Sequence, residues 1–281
     1  MVIIIIPDHQ IRDIIVWIFG EPVKIEYLRV TEYYCIVDYL PGYLINDIID
    51  IEADKAHPTK MNRPLASGAI SSQSALVVAI ILIAAIVSLL PQFNEEFHYF
   101  VIAFVLLNIL YSFWFKHIVI LDVFSIALGF SIRVLAGAVV ISVPISSWLI
   151  LTTMFISLFL GVMKRHSELI LVAENENAPS RKVLSQYSLN FADQMATVAA
   201  AGVIICYALY TVSERTVSAF GTENLIYTTP FVVYGIFRFM YLEYISNKGD
   251  NTTKIVFSDL QIILTVIIYT ITTVLIIYKI I

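Results

Sequence analysis

Residues 46–68 read NDIIDIEADKAHPTKMNRPLASG, and their acidic side chains are spaced for joint work. Asp47, Asp50 and Asp54 are separated by three and then four residues, which at about 100° per residue sets them within roughly 60° of arc on one helix face. Three carboxylates so placed repel one another and are costly to desolvate at a membrane boundary, so the spacing predicts a cation between them. A hard divalent ion suits oxygen ligands, and Mg²⁺ is commonly held by one or two carboxylates together with substrate phosphates. Asn46 can add an amide oxygen or donate to a phosphate. Downstream, Pro58 and Pro64 push His57 and Arg63 out of the α region, so AHPTKMNRP is a shaped loop just outside the helix. Lys60 can reach a diphosphate as a point charge and Arg63 as a bidentate fork. An acidic helix face beside a basic loop thus predicts a site for a magnesium-bound diphosphate. A loop serving only to set topology would need no carboxylates at helical spacing. Glu52 and Lys55 point away from the Asp face and read as solvated.

A second constellation lies in FLGVMKRHSELIL, residues 159–171. Lys164, Ser167 and Glu168 share a helix face there, with Arg165 and His166 rotated about 100° and 200° from Lys164. The functional reading is a phosphate clamp oriented by Glu168; the competing one is a set of cations serving as helix-end dipole partners and interfacial anchors. His166 alone receives no role. Between 118 and 142, Asp122 and Arg133 stand eleven residues apart, almost three turns, and so lie on nearly one face. An arginine inside an apolar span is costly and by default faces a polar cavity, whereas Gly129 and Gly137 serve helix packing. Lys116, in YSFWFKH, is either a phosphate partner or an interfacial anchor. Arg181 and Tyr187, in SRKVLSQY, join the candidates by position alone.

The elements that must carry these groups are membrane spans. Of 281 residues, 59% are hydrophobic and 14% charged, with a mean hydropathy of +0.85, far more apolar than an ordinary globular domain. Long apolar runs near 74–90, 97–115, 118–142, 147–163, 193–212, 226–245 and 259–280 can each cross a hydrocarbon core of roughly 30 Å as a helix. Two further spans near 11–19 and 30–45 carry Arg12, Asp13, Glu32 and Asp38, as helices with polar inner faces do. Nine spans set the termini on opposite sides. Eleven basic residues (Arg12, Lys55, Lys60, Arg63, Lys116, Lys164, Arg165, Arg181, Lys182, Lys248 and Lys254) then share one side, against four (Lys24, Arg29, Arg215 and Lys279) on the other. That bias predicts a cytoplasmic N-terminus and cytoplasmic active-site loops. The opening MVIIII has no basic n-region, so no cleaved signal is expected. Cys35 and Cys206 fall in predicted spans without partner spacing, indicating neither a disulfide framework nor a metal knuckle.

NDIIDIEADKAHPTKMNRPLASG resembles the first aspartate-rich motif, NDxxDxxxD followed by RPxxxG, of the UbiA superfamily of membrane prenyltransferases. With the His-Pro-Thr-Lys segment, YSFWFKHIVILDVFSIALGFSIRVLAGA and SSWLILTTMFISLFLGVMKRHSELI, it is similar to the superfamily's decaprenyl-phosphate phosphoribosyltransferase branch, over about residues 9–270. The resemblance implies an all-α integral membrane fold, a nine-transmembrane-helix bundle with a cytoplasm-facing polar cavity, the whole of 1–281 forming one transferase domain in the cell membrane. It implies Mg²⁺ as cofactor on Asp47, Asp50 and Asp54. Its implied substrates are 5-phosphoribosyl 1-diphosphate and a polyprenyl phosphate, met by Asn46, Lys60, Arg63, Lys116, Asp122, Arg133, Lys164, Arg165, Glu168 and Tyr187, with no nucleic-acid partner. The second DxxxD of prenyl-transferring members is replaced here by Lys164, Arg165 and Glu168. Two other readings compete: transfer of an isoprenoid from its diphosphate to an aromatic or other small acceptor, and a transporter, which would show an inverted repeat and midplane charges. Isoprenoid length and oligomeric state leave no mark in the sequence.

Overall fold

The computed structural model describes residues 44–56, 60–140, 142–143, 146–174, 182–245 and 258–279. Among them every regular element is helical. All seven strongly apolar runs form helices long enough to cross a membrane. The expected span near 11–19 and nearly all of that near 30–45 lie outside the described residues, as do Arg12, His57 and Arg181.

Helices in this composition follow from backbone chemistry: in hydrocarbon every N–H and C=O must be paired within its own segment. The described residues form two compact units, one of residues up to Ser125 with Ser131–Pro144, the other of Ile126–Phe130, Ile145–Glu176 and Arg181–Ile281. In the first unit, residues 44–49 are helical and lead into α1 (Ile51–Ala56). Next come α2 (Ser72–Leu89), α3 (Glu95–Phe113) and α4 (Leu121–Val140), of which Ile126–Phe130 count with the second unit. Ser71 and Asn94 cap α2 and α3 by accepting from the amides of Ser74 and Phe97 at 3.1 and 3.2 Å. Pro91, just after α2, lacks the N–H that a continuing helix would use. Ile86, Phe97, Val101 and Val140 form the core that joins these three helices.

The second unit contains α5 (Ser147–Glu174), α6 (Leu189–Val212), the short α7 (Glu214–Phe220), α8 (Thr229–Ile245) and α9 (Leu260–Ile277). A stripe of small buried residues, Ala192, Ala196, Ala199, Ala200 and Val203, lets another backbone approach α6 closely. At Gly202 a Cβ would stand 2.5 Å from the Phe155 ring of α5. Polar side chains inside these spans mostly turn back on their own helix: Thr152, Thr197, Thr265 and Thr273 each donate to the carbonyl four residues earlier. Arg238 of α8 grips Asp259 with two nitrogens, at 3.2 and 2.8 Å, and Asp259 caps α9 by accepting from the Ile262 amide at 3.0 Å. One boundary departs from the sequence expectation. The run ending at 163 continues as helix to Glu174, because Arg165, His166 and Ser167 are buried against protein and need not leave the helix to reach water.

Gly202→Ala is expected to destabilise the second unit by about 1–3 kcal/mol through overpacking, read as a lower unfolding midpoint in detergent, with Phe155→Leu in the same chain restoring part of it. The Arg238 hydrogen bond holds the Asp259 carboxyl below the ordinary carboxylate range. A depressed folded value means stabilisation that is complete above the usual carboxylate pKa of about 4 and is lost as pH falls through the folded one. The unfolding midpoint is therefore expected to drop on acidification, and to drop less in Asp259→Asn.

Candidate active site

The acidic stretch keeps helical hydrogen bonding through its turn at Asp50: the Asp50 amide donates to Asn46 O at 2.9 Å and the Asp54 amide to Asp50 O at 2.8 Å. Asp47 and Asp54 are thus two turns apart and about 20° apart in rotation. The RPLASG segment folds back on them. Ser67 N donates to Arg63 O, Ile70 N to Pro64 O and Gly68 N to Leu65 O, at 2.8, 3.0 and 3.2 Å. Gly68 has φ +79°, a left-handed conformation that the reversal requires and that a Cβ would strain. This turn sets Arg63 in position: its Nη1 donates to Asp47 Oδ1 and to Asp54 Oδ2, each at 2.8 Å.

Asp50 takes a different partner. Lys116 Nζ donates to Asp50 Oδ1 at 2.7 Å, and the lysine side chain is only 7% exposed. The sequence readings are a phosphate partner or an interfacial anchor; the structure shows Lys116 as a buried ion-pair partner of Asp50. It sits in the one-turn helix Phe115–His117 between α3 and α4. Three residues on, Ile120 has φ 72°, a strained conformation for a β-branched residue. Asp122 follows, fully buried in the first turn of α4, where the helix dipole favours an anion. Arg133, farther along α4, lies 5.5 Å from the centre of the Phe104 ring of α3 in a cation–π contact. Glu52 and Lys55 pair with each other at the exposed surface, as expected. Lys60 begins a short turn, Lys60–Asn62, on the approach to Arg63.

The three aspartates therefore do not close around one point: Asp47 and Asp54 meet at Arg63, while Asp50 meets Lys116. Among the described residues no group of three histidines, cysteines or carboxylates is gathered for a metal. The donors nonetheless suit a hard divalent cation. Two carboxylate oxygens already share one positive nitrogen, and Asn46 Oδ1 is buried with no hydrogen-bond partner among the described residues.

In the second unit, the turn of α5 that carries the Lys-Arg-x-x-Glu element is held from two sides. Arg165, 1% exposed, donates to Glu168 Oε2 at 2.5 Å, so Glu168 orients Arg165 and Lys164 stays exposed. Ser167 pairs with Glu243 of α8 as well as with Met163 O. His166 Nε2 lies 3.2 Å from Asp193 of α6, and its ring meets Tyr244 of α8 edge-on at 4.8 Å. Tyr187 is buried near Phe191, ring centres 6.0 Å apart. The sequence reading gives His166 no role and does not join it to Asp193 or Ser167 to Glu243. Glu243 had a signal, since a carboxylate within an apolar span calls for a partner. The His166–Asp193 contact crosses 27 positions of sequence and had none.

Lys116→Met is expected to leave Asp50 without its cation and to cost about 2 kcal/mol. Adding Asp50→Asn should recover most of that loss, giving a double-mutant cycle with a clear coupling in unfolding midpoints.

Comparison with known proteins places these features in context. The sequence pattern of the UbiA prenyltransferase family matches residues 39–258. The decaprenyl-phosphate phosphoribosyltransferase of Mycolicibacterium smegmatis is 36% identical over 172 residues, covering 61% of this chain and 54% of the relative. The protein of the same description from Corynebacterium glutamicum is 35% identical over 170 residues, covering 60% and 51%. The chain spans about half the length of these curated relatives. Among solved structures, a UbiA homolog from Archaeoglobus fulgidus bound to GPP and Mg²⁺ superposes with a TM-score of 0.67 at 16% identity, over 91% of this chain and 87% of that one. A digeranylgeranylglyceryl phosphate synthase does so with a TM-score of 0.61 at 18% identity, over 92% and 88%. With more than three quarters of its length inside the family pattern and an all-helical membrane fold of the same kind, the chain belongs to the UbiA prenyltransferase family.

Proposed function

We propose that the chain is a membrane transferase that moves a 5-phosphoribosyl group from 5-phosphoribosyl 1-diphosphate to a polyprenyl phosphate and releases diphosphate. The observation that carries this reading is the presence in one chain of an acidic diphosphate motif and, in place of a second aspartate motif, a cationic element. Asp47, Asp50 and Asp54 stand with Arg63 and Lys116, and Lys164 and Arg165 stand with Glu168. The similarity to the two phosphoribosyltransferases supports the same reading.

In the reaction a lipid phosphate oxygen bonds to C1 of the ribose as the C1–O bond to diphosphate breaks. The lipid phosphate is already anionic and needs no general base. Both substrates are anions and demand cations: Arg63, ion-paired on the acidic helix, and Lys60 are assigned to the diphosphate, and Arg133, Lys164 and Arg165 to the remaining phosphates. A Mg²⁺ ion held by Asp47 and Asp54 with Asn46, and with Asp50 alongside on Lys116, would supply neutralisation of the departing diphosphate. Tyr187 and Asp122, both buried, belong to the proposed substrate-binding set as well. The chain acts as one membrane-embedded domain in the cytoplasmic membrane with its acidic helix on the cytoplasmic side, an orientation supported by the eleven-to-four distribution of basic residues.

The test is direct. The purified chain with Mg²⁺ is given a polyprenyl phosphate and 5-phosphoribosyl 1-diphosphate, with parallel reactions holding a prenyl diphosphate and aromatic acids, and lipid products are weighed by mass spectrometry. A lipid heavier by one phosphoribosyl unit is expected; a prenylated aromatic instead would refute the proposal. Asp47→Ala and Asp50→Ala should each abolish turnover in a folded protein, and Arg133→Ala should weaken binding of the phosphorylated substrates. An unchanged apparent affinity would leave Arg133 to its packing on Phe104.

A further inference from the structure

We infer that Arg63 occupies the position of the divalent cation in the resting protein and yields it to metal alone only at saturating concentration, but readily when metal and diphosphate arrive together, a role that rests on the diphosphate reading above. Two oxygens, Asp47 Oδ1 and Asp54 Oδ2, approach the single nitrogen Nη1 at 2.8 Å each, the relation they would bear to a shared metal ion. That nitrogen carries two hydrogens, one for each carboxylate. It therefore has none for Asn46 Oδ1, the buried acceptor with no hydrogen-bond partner among the described residues. A hard divalent cation, which takes about six oxygen ligands, could serve all three.

Exposure separates the two cations of the site. The Arg63 side chain is 40% exposed and the Lys116 side chain 7%. Arg63 can swing away from the acidic helix into water, whereas Lys116 is enclosed and keeps Asp50. A metal ion arriving alone must displace a guanidinium from two carboxylates and leave it without an anion. One arriving with a diphosphate provides that anion, to which the guanidinium can fork. Metal and diphosphate binding are thereby coupled through one side chain. The consequence is an enzyme that does not hold the metal firmly without its diphosphate substrate.

The full chain in detergent is titrated with Mn²⁺ as a paramagnetic probe in phosphate-free buffer, so that metal binding is read without turnover. Removing a neighbouring positive charge should tighten Mn²⁺ binding by about tenfold in Arg63→Gln, while Arg63→Lys, which keeps the charge, should stay near the wild type. The gain in Arg63→Gln should vanish when Asp54→Asn is added. Equal affinities in wild type and Arg63→Gln, both sensitive to Asp54→Asn, would overturn the placeholder role and leave the diphosphate reading standing. Mn²⁺ binding indifferent to both Asp47→Asn and Asp54→Asn would overturn the two together. Should Arg63→Gln fail to fold, the wild type answers alone: saturating Mn²⁺ should speed phenylglyoxal labelling of Arg63 several-fold, as measured on its peptide, and an unchanged rate would overturn the proposal.

Discussion

Asp47 and Asp54 lie two turns apart on one strand of helix and come to a single nitrogen of Arg63. Without that guanidinium, the two carboxylates would face each other across a short gap at the edge of an apolar region, where like charges are poorly screened. The arrangement of the following loop is tied to this contact. Arg63 reaches back because its own carbonyl is engaged by Ser67 and because Gly68 turns the chain in a left-handed conformation that strains residues bearing a Cβ. Asp50, rotated from the other two, finds Lys116 from far along the chain, and that pair draws the α3–α4 connection toward the acidic helix.

The same constraint shapes the second unit. Arg165, His166 and Ser167 enter an apolar environment in consecutive positions of α5, and each meets a polar counterpart: Glu168 on the same helix, Asp193 on α6 and Glu243 on α8. Pairing makes their burial tolerable, and burial in turn fixes the rotation of α5 at the Lys-Arg-x-x-Glu element. His166 Nδ1 and Glu243 Oε2 remain without hydrogen-bond partners among the described residues, so the cluster is not fully satisfied. Polar groups so placed are more often tied to function than to stability.

Apolar packing does less to specify these positions. α2 and α9 expose large side chains such as Ile80, Ile81, Val266 and Ile267, as lipid-facing helices do, and many hydrophobic residues would serve there equally well. Tighter demands arise where α6 meets α5, with Gly202 under the Phe155 ring and small residues along one face. Close helix approach and ion pairing thus divide the work, the first setting distances between helices and the second their rotation.

The seven apolar runs, their helical state and the membrane setting were legible in the sequence because each depends on local composition: hydrocarbon leaves a spanning backbone few choices. The acidic face at 47, 50 and 54 was legible for a similar reason, helical periodicity being a local property. The superfamily resemblance rested on the same short stretch, and the narrower branch on two longer ones. Partner choice was not legible. That Arg63 serves Asp47 and Asp54, that Lys116 is buried on Asp50, and that Ser167 takes Glu243 depend on where separate segments meet. Sequence determines which charges must be compensated; only tertiary structure decides by what, because a buried charge is satisfied by whichever opposite group packing brings within about 3 Å.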